Sequence, residues 1–253
     1  MNLSRQSKSL AGYLGLNRNV GVLAVSTFGL GLGEELWQAY LPAYLVALGA
    51  GGFVVGLFAS LKDLLDGLYQ YPGGWVNDHY GRKRALLLFT SIALVGYVIN
   101  AIAFHWGFLF LGLVLVMAWK AGSFPATFAI IGDSLARGKR GIAFSVQSVL
   151  VRFPRVVAAP LGGLLIAAFG IVGGIRIAFA VTILLGVGVV LTQRKVFHAD
   201  SLNKADSAPL SAIKIFRAMP VSMKRLLAAE CLVRTGEAIA GSFIVLYVLE
   251  VLH

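Results

Sequence analysis

From Ala85 to Phe104 the chain runs for 20 residues without one charged side chain. At about 1.5 Å per residue, a helix of that length crosses the roughly 30 Å hydrocarbon core of a bilayer. In lipid each backbone N–H and C=O needs a partner within its own segment or within a closed barrel. Barrel strands alternate apolar and polar residues, and no such alternation occurs here. The chain is therefore predicted to be all-α and polytopic. Hydrophobic residues make up 58% of its 253 positions and charged residues 13%, against about 25% charge in a typical soluble domain.

Seven membrane-length segments can be drawn: Val20–Leu48, Phe53–Val76, Ala85–Phe104, Phe108–Ile131, Ile142–Phe169, Ile171–Leu191 and Leu226–Leu252. Short loops join the first six. The expected division is a six-helix bundle over 1–192, a cytoplasmic basic linker over 193–225 and a seventh helix over 226–253. Within the linker Ile213, Ile215, Phe216, Met219 and Met223 fit either an amphipathic surface helix or a solvated connection with basic anchors. The N-terminus is basic and then apolar like a secretory signal. Its apolar stretch is too long for one and contains Glu34 and Glu35, so it reads as a retained first helix.

The net charge of +11 would point to nucleic acid in a soluble protein. Its placement argues otherwise. Arg5, Lys8 and Arg18 precede the first segment, Arg82, Lys83 and Arg84 follow the second, and Arg137, Lys139 and Arg140 follow the fourth. Another basic group, from Arg194 to Arg225, follows the sixth, while the intervening loops carry none. This alternation puts the N-terminus in the cytoplasm of a multi-pass plasma-membrane protein, the inner membrane in a bacterium. No nucleic-acid partner is expected. One cysteine, Cys231, and four scattered histidines make neither a disulfide nor a metal site. No phosphate-binding loop, cofactor motif or nucleophile constellation occurs, so no cofactor and no enzymatic activity are expected.

Residues 73–84 read GGWVNDHYGRKR. The order Gly74, Asp78, Gly81, Arg82, Lys83 resembles the loop between the second and third helices of major facilitator superfamily (MFS) transporters. His79 stands where members usually have a basic residue, and Val76 where many have leucine. The resemblance implies a conformational gate at the inner surface, formed by these residues with Asp133 at the end of the fourth helix. Gly74 would allow close helix approach, Gly81 a tight turn, and Asp78 would accept hydrogen bonds from Arg82 or a helix terminus. It also implies two parallel six-helix halves, with the seventh helix repeating the first. Gly33-Glu34 then aligns with Gly236-Glu237, Tyr40 with Phe243 and Tyr44 with Tyr247. The chain thus reads as the N-terminal half plus the seventh helix of a secondary active transporter. Such a protein moves a small solute by alternating access, as symporter or antiporter, coupled to a proton or another ion. The missing C-terminal half would be its partner. The alternative is a non-transporting half-module that binds a partner or senses a ligand. Ala159-Pro160-Leu161-Gly162-Gly163 resembles, with one spacer missing, a Gly-Pro-x-x-Gly-Gly element of antiporter branches; a kink or close helix contact explains it equally well.

Charges inside lipid cost a few kcal/mol each on insertion scales, so they face a cavity or a partner. The deep ones are Glu34, Glu35, Asp63 and Asp66 against Lys62, Lys120, Arg152 and Arg155. Lys62 and Asp66 can pair as i,i+4 neighbours. Ser145, Ser148, Arg152 and Arg155 form a polar stripe at helical spacing. The family architecture implies that Glu34, Gln38, Lys120 and Glu237 lie near the middle of the central cavity, with Arg152 and Arg155 also candidates. Glu34 and Lys120 either neutralise each other or form part of a site where an acid takes up a proton as substrate moves; Glu34 and Glu237 are the candidate acids.

Overall fold

The computed structural model describes residues 18–134, 137–196, 217 and 219–251. Its helices are α1 (Arg18–Glu35), α2 (Leu41–Ala47), α3 (Gly52–Tyr80), α4 (Arg82–Ala101), α5 (Trp106–Ser134), α6 (Arg137–Val196) and α7 (Val221–Val251), with a 3-10 turn at Gln38–Tyr40. No strand occurs among the described residues. The interior of the basic linker, including Ile213, Ile215 and Phe216, lies outside them.

The first expected span is not one helix. Proline lacks the N–H that would close an α-helical bond to the fourth residue back, and its ring collides with that carbonyl. Pro42 therefore ends the ladder at Gln38, whose carbonyl accepts from the Leu41 N–H instead. The turn is closed by Trp37 N–H to Glu34 O at 3.3 Å and Tyr40 N–H to Trp37 O at 3.0 Å. α1 stops at Glu35 and Trp37 leaves the helical region, with φ −121° and ψ −20°; α2 begins at Leu41 with Pro42 in its first turn, where a missing N–H is tolerated.

A second break divides α6. Gly170 has φ 74° and ψ 169°, a region reserved in practice for glycine. A Cβ on Gly174 would lie 2.7 Å from the backbone of Ile166, so the second arm doubles back against the first. The apolar stretch Val151–Lys195 is 45 residues long, about twice what one crossing needs. Folding at Gly170 makes it two. By composition alone, Val151–Lys195 and Lys83–Ala101 are the described stretches long and apolar enough to cross a membrane. The others are shorter or carry charges at mid-length.

Packing follows the rule for helices in lipid, where small residues permit close backbone approach. α1 packs chiefly on α6, α5 on α3 and α4, and α4 on α6. A Cβ on Gly96 would meet the Gly112 carbonyl at 2.8 Å, and one on Gly33 would meet Thr182 Cα at 2.9 Å. Thr182 Oγ1 also donates to the Gly33 carbonyl at 2.8 Å. Tyr44, Tyr97, Phe179, Leu30 and Ile175 fill the core. Some deep polar groups are paired across helices: Thr90 Oγ1 donates to Gln193 Oε1 at 3.3 Å, and Gln193 Nε2 to Ser26 Oγ at 3.2 Å. The outer faces are apolar; Phe53 is 83% exposed and Val156 and Leu184 each 73%. Such a surface suits lipid rather than water.

The Ala159–Gly163 element packs on the break in the first span. Tyr40 Oη donates to Ala159 O at 2.9 Å. A Cβ on Gly162 would collide with the Leu36 carbonyl, and one on Gly163 would lie 2.7 Å from Tyr40 Oη. Gly162→Val is expected to lower stability by about 1–3 kcal/mol through overpacking, and Gly170→Ala by a similar amount, on the order of 1–3 kcal/mol, through backbone strain. Thermal unfolding of each variant in detergent checks both, and an unchanged midpoint would contradict the packing described.

Candidate functional site

The signature loop is compact. α3 ends at Tyr80 and α4 begins at Arg82, with Gly81 between them at φ 81°, the tight turn the sequence predicted. Gly74, expected at a close helix approach, is half-buried near the end of α3. A Cβ there would meet nothing within 4 Å among the described residues. The contact is made by Asn77, which the sequence reading passed over. Its Nδ2 donates to Gly73 O at 2.8 Å and to Gly122 O at 2.9 Å, tying the end of α3 to α5. The side chains of Asp78, Arg82 and Asp133 lie outside the described residues, so the proposed gate network has no geometry here. Lys83 is half-buried at the start of α4.

The break in the first span opens onto a cavity of about 510 Å³. Its wall brings together Glu34, Glu35, Gln38, Lys62, Asp63, Lys120 and Arg155. Glu34, Lys120 and Arg155 fall near the middle of their expected membrane segments, so the charged residues cluster at one depth. The remaining wall is mainly apolar, including Leu45, Val55, Phe58, Val116 and Met117.

Glu34 is the best-held charge. One oxygen, Oε1, accepts from Tyr97 Oη at 2.6 Å; the other, Oε2, lies 3.6 Å from Lys120 Nζ. The side chain of Glu34 is 8% exposed and that of Lys120 31%. An ion pair so shielded is screened little by water, and removing either partner leaves a buried charge. Glu35 accepts from Arg155 Nε at 3.0 Å. Arg155 is 66% exposed in the structure, which makes that pair the weaker of the two. Together the pairs join α1 to α5 and to α6.

Of the expected site residues, Glu34, Gln38, Lys120 and Arg155 line this one cavity. Arg152 is exposed and absent from the wall, and Ser145 and Ser148 of the polar stripe are exposed too. Glu237 falls in α7, but its side chain lies outside the described residues. Lys62 and Asp66 form no ion pair among the described residues, contrary to the pairing their spacing allows. Tyr97 and Asn100, on the wall or hydrogen-bonded to it, were missed. Both sit three residues apart in the charge-free run of α4. A polar pair on one face of so apolar a helix was the available signal.

The sequence profile described as Major Facilitator Superfamily matches residues 23–253. Among curated proteins, the chain is 30% identical over 160 residues to a multi-drug resistance efflux pump PmrA homolog of Lactococcus lactis, covering 60% of this chain and 38% of that protein. It is 28% identical over 182 residues to an uncharacterised MFS-type transporter of Mycobacterium tuberculosis, covering 70% and 40%. The fold is similar to that of the POT family transporter PepTSo, with TM-score 0.62 at 18% identity over 91% of this chain and 51% of that one. An auto-inhibited POT family peptide transporter gives TM-score 0.61 at 17% identity, covering 92% and 51%. The chain thus spans about two fifths of the length of these curated relatives. With the inner-loop signature, the charge-lined cavity and a match running from the first helix to the last, the chain belongs to the major facilitator superfamily and is a multi-pass helical membrane protein of transporter type.

Proposed function

We propose that residues 1–192 form the first bundle of a proton-coupled secondary transporter, followed by a basic cytoplasmic linker and a seventh helix that opens a second bundle. The cargo is a small molecule held in the cavity, and the bundles rock about it by alternating access. Coverage of about half of the similar structures supports a second bundle supplied beyond these residues. The efflux-pump relative supports export as the direction, and the basic loops support a cytoplasmic N-terminus in the plasma membrane.

One observation carries this reading: Glu34, buried at a helix break on the cavity wall, shared between Lys120 and Tyr97. A proton taken up by Glu34 removes the charge that holds Lys120. The α1 to α5 tie then weakens, and loss of the proton restores it. Proton binding is thereby linked to helix packing around the cargo. Gly81 and Asn77 at the inner surface, with Asp78, Arg82 and Asp133, act as the latch between conformations and do not touch cargo.

In the full-length transporter reconstituted in liposomes, Glu34→Gln is expected to abolish accumulation driven by a pH gradient while sparing counterflow exchange. Unchanged pH dependence in that variant would refute the assignment. Tyr97→Phe keeps the packing and removes the hydrogen bond to a charged group, typically worth about 1.5–3 kcal/mol. It is expected to shift the pH profile of uptake without abolishing transport, as measured by initial rates across a pH series.

A further inference from the structure

Two charges at bilayer depth stand on the outside of the bundle. Asp66 lies near the middle of the second expected segment and Arg152 near the middle of the fifth. Both are exposed, neither lines the cavity, and neither enters an ion pair among the described residues. Each belongs to a surplus of one sign. On α3, Lys62 is the one lysine or arginine against Asp63 and Asp66, so a negative charge is left over. On α6, Glu35 matches Arg155, so Arg152 is left over as positive.

Each charge also belongs to a polar side of its helix. Asp63, Gly67, Gln70 and Gly74 recur on α3 at i, i+4, i+7 and i+11, the spacing of a stripe that meets a neighbouring helix. Asp66 is one turn from Asp63 and from Gln70. A Cβ on Gly67 or Gly74 would meet nothing within 4 Å among the described residues, so the space beside the stripe is open. Leu64, Leu68 and Tyr71 are exposed on a separate, apolar side. On α6, Pro154 and Ala158 are buried, and Arg152 stands about 200° around the helix from Pro154. Lipid suits the apolar sides and cannot solvate the polar ones. α3 packs chiefly on α5, and α6 on α1 and α4, which sets the two polar sides at separate edges of the bundle. α7, where the second bundle opens, already lies against α2 and α3.

We propose that these two edges dock the second bundle and are opposite in sign: the helix covering α3 brings a basic group to Asp66, and the helix covering α6 an acidic group to Arg152. A reversed docking would set like charges together, so the signs fix which edge meets which helix. The proposal rests on the reading that a second bundle is supplied beyond these residues.

The test uses the full-length transporter in detergent, with a protease site in the linker over 193–225 and a benzophenone amino acid at Gln70 or at Ser148, one turn from Asp66 and from Arg152. After irradiation and cleavage the halves are expected to stay joined, and to separate when the probe is at Leu68 or Leu184 on the apolar sides. The 253-residue chain treated alike is expected to release α7; cross-linking to α7 or to a second copy there would overturn the proposal, as would separation of the full-length halves from both probe positions. Without irradiation, Asp66→Lys and Arg152→Glu are each expected to lower co-purification of the cleaved halves about tenfold or more, as like charges in contact require. Asp66→Glu and Arg152→Lys should keep it, and an unchanged melting midpoint of the 253-residue chain shows that the reversals leave the first bundle folded. The double reversal should not recover co-purification, because the two residues have different partners. Recovery, or no loss in either single reversal, would contradict the assignment. The assay reads assembly alone, so its failure leaves proton-driven transport, tested separately, standing or falling by its own result.

Discussion

A helix interrupted inside a membrane leaves backbone groups that lipid cannot satisfy, and the arrangement of this bundle follows from how that need is met in the first span. Pro42 stops the α-helical ladder, and the turn recovers bonds locally through Trp37, Tyr40 and Leu41. α6 supplies a further donor, Thr182 Oγ1 to the Gly33 carbonyl, and in return the Tyr40 hydroxyl donates to the Ala159 carbonyl of α6. The contact requires near-absence of side chain at Gly162 and Gly163. The proline-glycine element of α6 and the broken first helix are therefore complementary surfaces, each explaining the other's composition.

The break also sets the electrostatics. Glu34 and Glu35 stand at the last turn of α1, where successive side chains diverge by about 100°. One meets Lys120 and Tyr97, the other Arg155. Each acid thus ties the first helix to a different neighbour, and the cavity wall stays near neutrality, as charges at bilayer depth require. A bundle held by such ties can change shape when a tie is neutralised. A bundle held by apolar packing alone has no comparable response to pH.

Much of this was legible in the sequence. The charge-free run Ala85–Phe104 pointed to the class of structure, the Gly81 turn and the inner-loop signature were readable from residue order, and the family resemblance put Glu34, Gln38 and Lys120 at the cavity with Arg155 as a further candidate. The break was not foreseen, because Val20–Leu48 was read as one span from its length and apolar character alone. The proposed repeat of the first helix in the seventh shows why: Val245 takes the place of Pro42 when Gly33 is aligned with Gly236, and α7 runs unbroken from Val221 to Val251. Tyr97 and Asn77 escaped because neutral polar residues in apolar helices carry weak pattern signals, while their partners are set by tertiary packing.

The central claim is that Glu34 and Lys120 interact strongly enough to couple protonation to helix packing. A double-mutant cycle on thermal stability, with Glu34→Gln, Lys120→Met and the pair, measures that interaction directly. A coupling energy of about 1 kcal/mol or more is predicted, with the double variant less destabilised than the sum of the single ones. Additivity to within about 0.3–0.5 kcal/mol, the range expected of independent sites, would contradict the account.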